Sequence, residues 1–408
     1  MPMNEAIHEA TMSESWSRDS SLRGELLPLD RCPDLAVDWV ALQDAVACSP
    51  FASWRWVSTW LEHLPAGIRP MVFRARDAGG GVAALALLVD APEQGRARWL
   101  GRRSWHLQET GDAEVDEITI EYAGLLARPG CLPAAWRALF DALDRLPRDW
   151  RRLRVSTSEQ GEAIAAALPQ DMLATSVRSR PCYQVDLQAV REAPGGYLEV
   201  LGRKARGSLR QTLRAYDSLG PLRAEAAADT RVALDWFDAF EQLHTQHWQS
   251  RGAGGCFASP FFRRFHRALI ERSSDEGFAR MVRVTAGDAL VGYLYNLGWQ
   301  DKVYYYNAGM NYGLLRRHDR PGIASLYAVV EQAAAAGELV FDFLAGDQEY
   351  KRRLASTELM LHSIDVRRSG MRATAERIGA GIAQRGTLGV PLGEALATMP
   401  PAPSTQEA

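Results

Sequence analysis

The stretch VFDFLAGDQEYKRRLA, residues 340–355, places several titratable side chains at the end of an apolar run. Asp342 lies inside the run, and Tyr350 and Lys351 follow shortly after a glycine. Apolar neighbours disfavour the charged form of a carboxyl, which raises its pKa and makes it a candidate general base. The stretch therefore predicts proton-transfer chemistry where a strand gives way to a short helix.

A purely structural role is the alternative for these residues. Asp342 is equally well explained as a structural acid that is hydrogen-bonded to a neighbouring loop. Asp347 stands where it can cap the short helix, and its i, i+4 spacing to Lys351 favours an ion pair between the two. The residue types alone leave both interpretations of Asp342 open.

A second candidate site lies in the segment RRHDRPGIAS, which connects a predicted strand to a predicted helix. A helix start offers unpaired N–H groups and a positive dipole end, and Gly322 would let a phosphate approach the backbone. Arg316, Arg317 and Arg320 can pair with phosphate oxygens. The segment has neither the Walker A pattern nor the dinucleotide fingerprint, which disfavours ATP and NAD. An ordinary connection with solvated arginines is the alternative.

The elements that must position these residues follow a regular order in the second half of the chain. Hydrophobic periodicity predicts two helices, three strands, a helix, a strand, a short helix and a last strand. The first half repeats this order more loosely, with two helical pieces broken near Pro50, a hairpin, a strand at EITIEYAGLL, a helix and later strands. The loops LLARPGC and LLRRHDRPGIA each precede a helix and then a strand.

This internal similarity favours a duplicated domain. The organisation that follows is a disordered tail at 1–24, a first domain at 25–190, a second domain at 191–370 and a flexible tail at 371–408. Near the boundary, a predicted helix carries five positive charges within residues 203–214. This helix can face a phosphate, an anionic precursor or a membrane surface, or it can be a solvated helix face.

Composition excludes several classes of protein. The chain has 408 residues and a net charge of -3, which argues against general affinity for DNA. Its five scattered cysteines predict reduced thiols and no metal site. The polar N-terminus lacks a signal-peptide pattern, and the most apolar window is too short to cross a bilayer. We expect a cytoplasmic protein without a transmembrane segment; its oligomeric state stays open.

Several segments, taken in order, resemble one superfamily of acyltransferases. They are SPFASWRWVSTW, GRKARGSLRQTLRAYDSLG, HWQSRGAGGCF, RPG and DFLAGDQEYKRRL. With the element order, they resemble the GNAT acyltransferases, and more closely the CelD/BcsL-like branch, which is related to the FemABX aminoacyltransferases through paired GNAT domains. The resemblance implies an α/β fold of two tandem GNAT-like domains, each a mixed central sheet flanked by helices, with a degenerate first domain.

The resemblance also implies an acyl-CoA cosubstrate, acetyl-CoA above all, whose pyrophosphate would lie at the turn before the helix. The family pattern there is Gln or Arg, two residues, Gly, one residue, then Gly or Ala. Gly322 and Ala324 match its second part, whereas Asp319 replaces the Gln or Arg. The cofactor-binding residues that this implies are Arg316, Arg317, Arg320, Gly322, Ile323, Ala324 and Asn307.

Catalytic roles follow from the same resemblance. Tyr350 occupies the place of the tyrosine that protonates the departing thiolate, and Lys351 that of a lysine whose charge faces the acyl oxygen or the acceptor. Asp342 would remove the proton of the acceptor ammonium. The implied substrate-binding residues are Trp248, Arg251, Phe257, Tyr304 and Tyr306. Strand alternation would put Tyr304 and Tyr306 on one face and Asn307 on the other; packing is the alternative role of the tyrosines.

These expectations describe an N-acyltransferase that transfers an acyl group from acyl-CoA directly to an amine. The resemblance makes an amino sugar, or a carrier-linked precursor in polysaccharide or cell-envelope biosynthesis, a natural acceptor. Two alternatives stay open. One is a FemABX-like aminoacyltransferase that uses aminoacyl-tRNA, and the other is a non-catalytic scaffold in exopolysaccharide production.

Overall fold

The computed structural model of the chain describes residues 22–92, 103–146, 150–368 and 390–391. The predicted tails lie outside these residues, except for the beginning of the first strand and a two-residue strand near the end. We call residues 22–186 the first half and residues 187–368 the second half. Both halves combine helices with a mixed sheet, which confirms the expected α/β class.

The first half begins with a strand and two helices and continues with the predicted hairpin. Its described strands are β1 (Arg23–Pro28), β2 (Met71–Arg76), β3 (Val82–Pro92), β4 (Arg103–Leu107), β5 (Leu126–Ala127), β6 (Arg152–Ser158) and β7 (Met172–Asp186). Its described helices are α1 (Leu35–Asp44), α2 (Trp54–His63), α3 (Leu132–Asp144) and α4 (Gly161–Ala167). The break near Pro50 is confirmed, since α1 ends before it and α2 begins after it.

The second half has the predicted order from its two long helices onward. Its helices are α5 (Leu187–Glu192), α6 (Tyr197–Val200), α7 (Arg203–Tyr216), α8 (Thr230–Gln249), α9 (Pro260–Ser273), α10 (Pro321–Ala335) and α11 (Glu349–Leu354). Its strands are β8 (Leu222–Ala226), β9 (Ala279–Ala286), β10 (Ala289–Trp299), β11 (Lys302–Met310), β12 (Val340–Ala345) and β13 (Thr357–Arg368), and β14 (Val390–Pro391) follows. Among the described residues, no helix has the length and apolar character needed to cross a bilayer.

The described strands join in one continuous sheet. Their order is β1-β2-β3-β4-β6-β13-β7-β12-β11-β10-β9-β8, with β5 on β3 and β14 on β7. The last long strand of the second half, β13, therefore lies between β6 and β7 of the first half. In turn, β7 lies beside β12 of the second half. This exchange of strands couples the two halves through backbone hydrogen bonds.

Each half contains a pair of parallel strands that part soon after they meet. Strands β4 and β6 pair over two residues each, and strands β11 and β12 pair over three. Beyond these short ladders the strands diverge toward their carboxyl ends. We call the place where they diverge the parting point of that half. In open α/β sheets, ligands bind at such points, at the carboxyl ends of the strands.

A long segment of the first half interrupts the strand that precedes its parting point. Strand β3 pairs with β4 up to Leu107 and resumes with β5 at Leu126. At the corresponding place in the second half, β11 has one extra residue, Tyr306, opposite β10. A one-residue bulge re-aims side chains next to a site. The first half instead inserts residues 108–124, which we call the inserted segment.

The strand predicted at EITIEYAGLL was wrong. Asp116–Ile118 forms a 3-10 turn, and Thr119 and Tyr122 have φ angles of 41° and 55°. These left-handed values are incompatible with an extended strand. The apolar residues that suggested a strand, Ile118 and Ile120 among them, are buried instead, because the inserted segment packs between the halves.

Aromatic side chains of both halves share one core. Trp56 of α2 meets Phe265 of α9 edge to face, with ring centroids 4.8 Å apart. Trp56 also lies 5.9 Å from Tyr306 of β11, and all three side chains belong to the same buried cluster. Close-packed aromatic contacts of this kind fix the two halves against each other.

Candidate active site

Asp342 of β12 is fully buried and accepts four hydrogen bonds. Its Oδ2 accepts from the Tyr122 hydroxyl at 2.5 Å and from the Gln184 amide at 2.8 Å. Its Oδ1 accepts from the Leu344 N–H at 2.7 Å and from the Cys182 thiol at 3.2 Å. A buried carboxylate needs such donors to replace its water. This environment agrees with the structural interpretation of Asp342, because both oxygens are already engaged.

Side chains also form hydrogen bonds with the backbone just beyond Asp342, where β12 stops pairing with β11. Leu344 has a φ of 60°, which turns the chain away from its neighbour. The N–H of Ala345 donates to Oε2 of Glu121 at 2.6 Å. The Nζ of Lys351 donates to the carbonyls of Leu344 and Ala345 at 3.2 and 3.1 Å. The turn therefore depends on one acid from the first half and one lysine from the second.

Glu121 is the carboxyl in this site whose titration is poised near neutrality. It is 5% exposed, and burial raises its pKa to about 7. The hydrogen bond from Ala345 and the charge of Lys351 oppose the rise, whereas the charge of Asp342 adds to it. A base with a pKa near the working pH combines a useful ionised fraction with sufficient proton affinity. Glu121 therefore has the properties first expected of Asp342.

The predicted ion pair between Asp347 and Lys351 was wrong. Helix α11 begins only at Glu349, its N-cap is Gln348, and no side chain caps it. Lys351 turns inward, is 6% exposed and donates to the two carbonyls of the turn. Burial lowers the pKa of its ammonium group, and the nearby charge of Glu121 counteracts that effect.

Tyr350 lies on α11 next to a tyrosine of β11. Burial raises the pKa of Tyr350 to about 12, and the neighbouring Tyr305 hydroxyl counteracts the rise. The phenol is therefore protonated at neutral pH and is able to donate a proton. Strands β11 and β12 part next to this pair, so Tyr350 faces the second half's parting point from α11.

The start of α10 has the features that the phosphate hypothesis requires. Pro321 occupies the first turn, and the N–H groups of Ile323 and Ala324 already donate to the carbonyl of Arg320. The Gly322 N–H has no acceptor within the helix, because the first helical N–H groups lack one. A side chain at Gly322 would enter open space. This helix start is thus accessible through Gly322 rather than through the buried Ala324.

The loop before α10 is fixed by its acid and surrounded by arginines. Asp319 accepts hydrogen bonds from the Tyr216 hydroxyl at 2.9 Å and from the Gly313 N–H at 2.5 Å. Arg320 donates to Ser208 of α7 at 2.7 Å, whereas Arg316 and Arg317 are exposed. Asp319 therefore has a structural role at the position where the family pattern has Gln or Arg, and α7 lies directly beside the loop.

A chain of polar contacts links the loop after α8 to β11. Trp248, 38% exposed, donates to Nε2 of His244 at 3.0 Å. The Cys256 sulfur lies 3.5 Å from the same nitrogen and accepts from the Asn307 amide at 3.3 Å. Trp248 and Asn307 thus border one region, and Arg251 is exposed at its edge.

The bulge at Tyr306 changes the predicted alternation along β11. Asn307 contacts Cys256 on the side of the sheet that holds Tyr304 and Tyr306, whereas Tyr305 packs on the other side. The predicted placement of Asn307 was therefore wrong, because the extra residue shifts the period by one.

Three predicted substrate-binding residues have structural contacts. Phe257 is 6% exposed and packs against Phe240, with centroids 5.1 Å apart, so it belongs to the core. Tyr304 is 4% exposed and meets the Tyr122 ring edge to face. Tyr306 donates to the Ile118 carbonyl of the inserted segment and contacts His266.

Sequence reasoning missed the two residues that the first half contributes, Glu121 and Tyr122. The segment IEYAG places an acid and an aromatic residue before an Ala-Gly pair, much as FDFLAG does around Asp342. That parallel was the available signal, and assignment to a strand concealed it. The structure brings both residues to β12 because the inserted segment crosses from one half to the other.

Part of the chain matches a known protein family. Residues 203–352 match the family described as Acetyltransferase (GNAT) domain. A search of curated proteins finds no match. The matched domain supports an acyltransferase and suggests an acyl-CoA cosubstrate.

Solved structures resemble most of the chain at low identity. The structure of FemX is 10% identical, covers 84% of this chain and 98% of its own, and has a TM-score of 0.53. L-PGS from Bacillus licheniformis is 11% identical, covers 86% and 98%, and has a TM-score of 0.45. A tandem GNAT protein from the clavulanic acid biosynthesis pathway is 13% identical, covers 85% and 99%, and has a TM-score of 0.40. The likeness to FemX shows a shared fold.

The raised pKa of Glu121 predicts a pH-dependent cost in stability. Its folded pKa, about 7, exceeds its unfolded value of 4.5, so the folded state binds the extra proton, and stability falls as pH rises through this window. Glu121→Gln removes this pH-dependent contribution. We expect the unfolding free energy of the variant to rise, relative to that of the native chain, by roughly 3 kcal/mol from pH 5 to pH 8. Urea titrations at each pH would measure it. A constant difference across this range would contradict the assignment.

Proposed function

We propose that the chain is an N-acyltransferase that uses acyl-CoA, and acetyl-CoA above all, to acylate an amine. The observation that carries the proposal is the second half's parting point. There, the accessible start of α10, the buried Glu121 and Lys351 and the half-buried Tyr350 flank the same two diverging strands. This combination provides a place for phosphates and proton-transfer groups next to it.

The donor would bind along the second half. Gly322 and the exposed Arg316 and Arg317 would hold the phosphates, because a helix start and guanidinium groups both favour anions. Arg320, which is bonded to Ser208, would complete this cradle from the side of α7. The bound acyl-CoA supplies the activated carbonyl that an amine attacks.

The buried residues would manage the protons. Glu121 would take a proton from the acceptor ammonium, which frees the nitrogen lone pair for attack. Tyr350 would give its proton to the departing sulfur, and the second proton that the nitrogen loses as the amide forms would restore the Tyr350 hydroxyl. Lys351 would stabilise negative charge at the acyl oxygen. Asp342 would hold Tyr122, and with it the inserted segment, in position. We thus transfer the role of base from Asp342 to Glu121.

The acceptor class rests on the resemblance to the CelD/BcsL-like branch. It makes an amino sugar, or a carrier-linked precursor in polysaccharide or cell-envelope biosynthesis, our candidate. The aminoacyl-tRNA and scaffold alternatives would both leave the chain without affinity for acyl-CoA. A donor titration therefore separates the proposed function from both alternatives.

Calorimetric titration with acetyl-CoA and longer acyl-CoAs tests the donor site. We expect micromolar binding by the native chain and at least a hundredfold loss in Gly322→Trp, whose side chain would fill the open space at the start of α10. Gly67→Trp is the matched control, since a side chain there also meets no neighbour, and it should bind normally. Equal binding by Gly322→Trp, or none by the native chain, would refute the proposal.

Tyr350→Phe tests the proton donor. The hydroxyl contributes only once the thiolate departs, so kcat should fall about 10²- to 10³-fold while donor affinity stays unchanged. Release of the CoA thiol, with glucosamine or hexylamine as acceptor, provides the readout. Tyr327→Phe is the control, because this half-buried tyrosine of α10 stacks on Tyr197. A kcat within twofold of the native value would exclude Tyr350 as the acid.

A further inference from the structure

The first half has a cavity of about 650 Å³ at its own parting point. The cavity lies beside β5 and just past the end of β6, between the start of α3 and helix α4, and residues 46–49 and Ala52 close its far side. We call it the first-half cavity. Its position in the first half corresponds to that of the proposed donor site in the second. The duplicated fold has therefore kept a second, separate opening.

The lining of the first-half cavity does not suit a coenzyme phosphate. Two carboxylates, Glu159 and Glu162, line it. Its one arginine, Arg128, is paired with Asp77 at 2.8 Å. Carboxylates repel phosphate and attract ammonium groups, so the electrostatics favour a cation. The remaining lining, including Leu125 and other apolar residues, fits a hydrocarbon body.

Glu159 is the residue best placed to receive a positive charge. Its side chain lines the cavity and is exposed there. Partial desolvation by the cavity walls raises the pKa of its carboxyl, and the charge of Lys302 only partly offsets the rise. An ammonium group bound beside Glu159 would offset it further, because an opposite charge favours the ionised carboxylate.

Tyr122 connects the first-half cavity to the proposed reaction centre. Its side chain lines the cavity, and its hydroxyl donates to Asp342 of β12. The adjoining residue, Glu121, bonds to Ala345 at the end of β12. One wall residue and the proposed base therefore follow each other in the chain and contact the same strand.

From these contacts we propose that the first-half cavity is the acceptor site, and that it binds a primary ammonium carried on an apolar body, with Glu159 as its counter-ion. The proposal rests on the proposed function, in which the second half binds the donor. It assigns one substrate to each half of the duplicated fold. The inserted segment would then bring the bound amine toward Glu121.

The test uses the full chain and n-hexylamine as the probe. Saturation-transfer NMR should detect hexylamine binding, weaker binding of n-hexanol and none of hexanoate. Glu159→Gln should weaken hexylamine binding about tenfold, because it removes a charge-assisted hydrogen bond. Glu192→Gln, at the end of α5 and outside the cavity, is the matched control and should bind like the native chain. Ala163→Leu, which reduces the volume of the cavity, should weaken hexylamine and hexanol alike.

Kinetics distinguish this proposal from the proposed function. With hexylamine as acceptor, Glu159→Gln should raise the KM for the amine about tenfold and leave kcat and acetyl-CoA affinity unchanged. Native affinity for the amine in Glu159→Gln, or equal binding of hexanoate, would overturn the acceptor site even if acetyl-CoA binds. Absence of acetyl-CoA binding by the native chain would instead overturn the proposed function, whatever the amine does.

Discussion

The buried carboxylate of Asp342 is the constraint on which the rest of the site depends. An acid with no exposed surface must receive donors from the protein, and here they come from β7, from β12 itself and from the inserted segment. The Tyr122 hydroxyl supplies the donor from the inserted segment. Because Tyr122 is fixed in this way, the preceding residue, Glu121, is held against the end of β12. A structural acid thereby positions the proposed base.

The architecture explains why a duplicated fold would retain both copies. Exchange of β13 and β7 makes one sheet, so neither half keeps a complete set of strands by itself. The single-residue bulge at Tyr306 and the long inserted segment stand at corresponding places, and they meet through the bond from Tyr306 to Ile118. The first half thus contributes Glu121 and Tyr122 to contacts with β12 of the second half.

Local patterns were sufficient to predict much of the fold. The order from α8 to β13 and the break near Pro50 both follow from short-range chemistry. The exchange of strands and the path of the inserted segment could not be predicted, because they depend on contacts between residues far apart in sequence. Lys351 shows a different limit, because its contacts are local. Its spacing to Asp347 suggested an ion pair, but its ammonium group donates to the carbonyls of Leu344 and Ala345 in the turn before the helix.

A double-mutant cycle between Tyr122 and Asp342 tests the central claim most directly. Unfolding free energies of Tyr122→Phe, Asp342→Asn and the double variant, from urea titrations, give the coupling between the two side chains. We predict a coupling of about 1.5–3 kcal/mol, the usual value of a hydrogen bond to a charged group. Additive effects, within about 0.5 kcal/mol, would contradict the claim that this bond holds the inserted segment against β12.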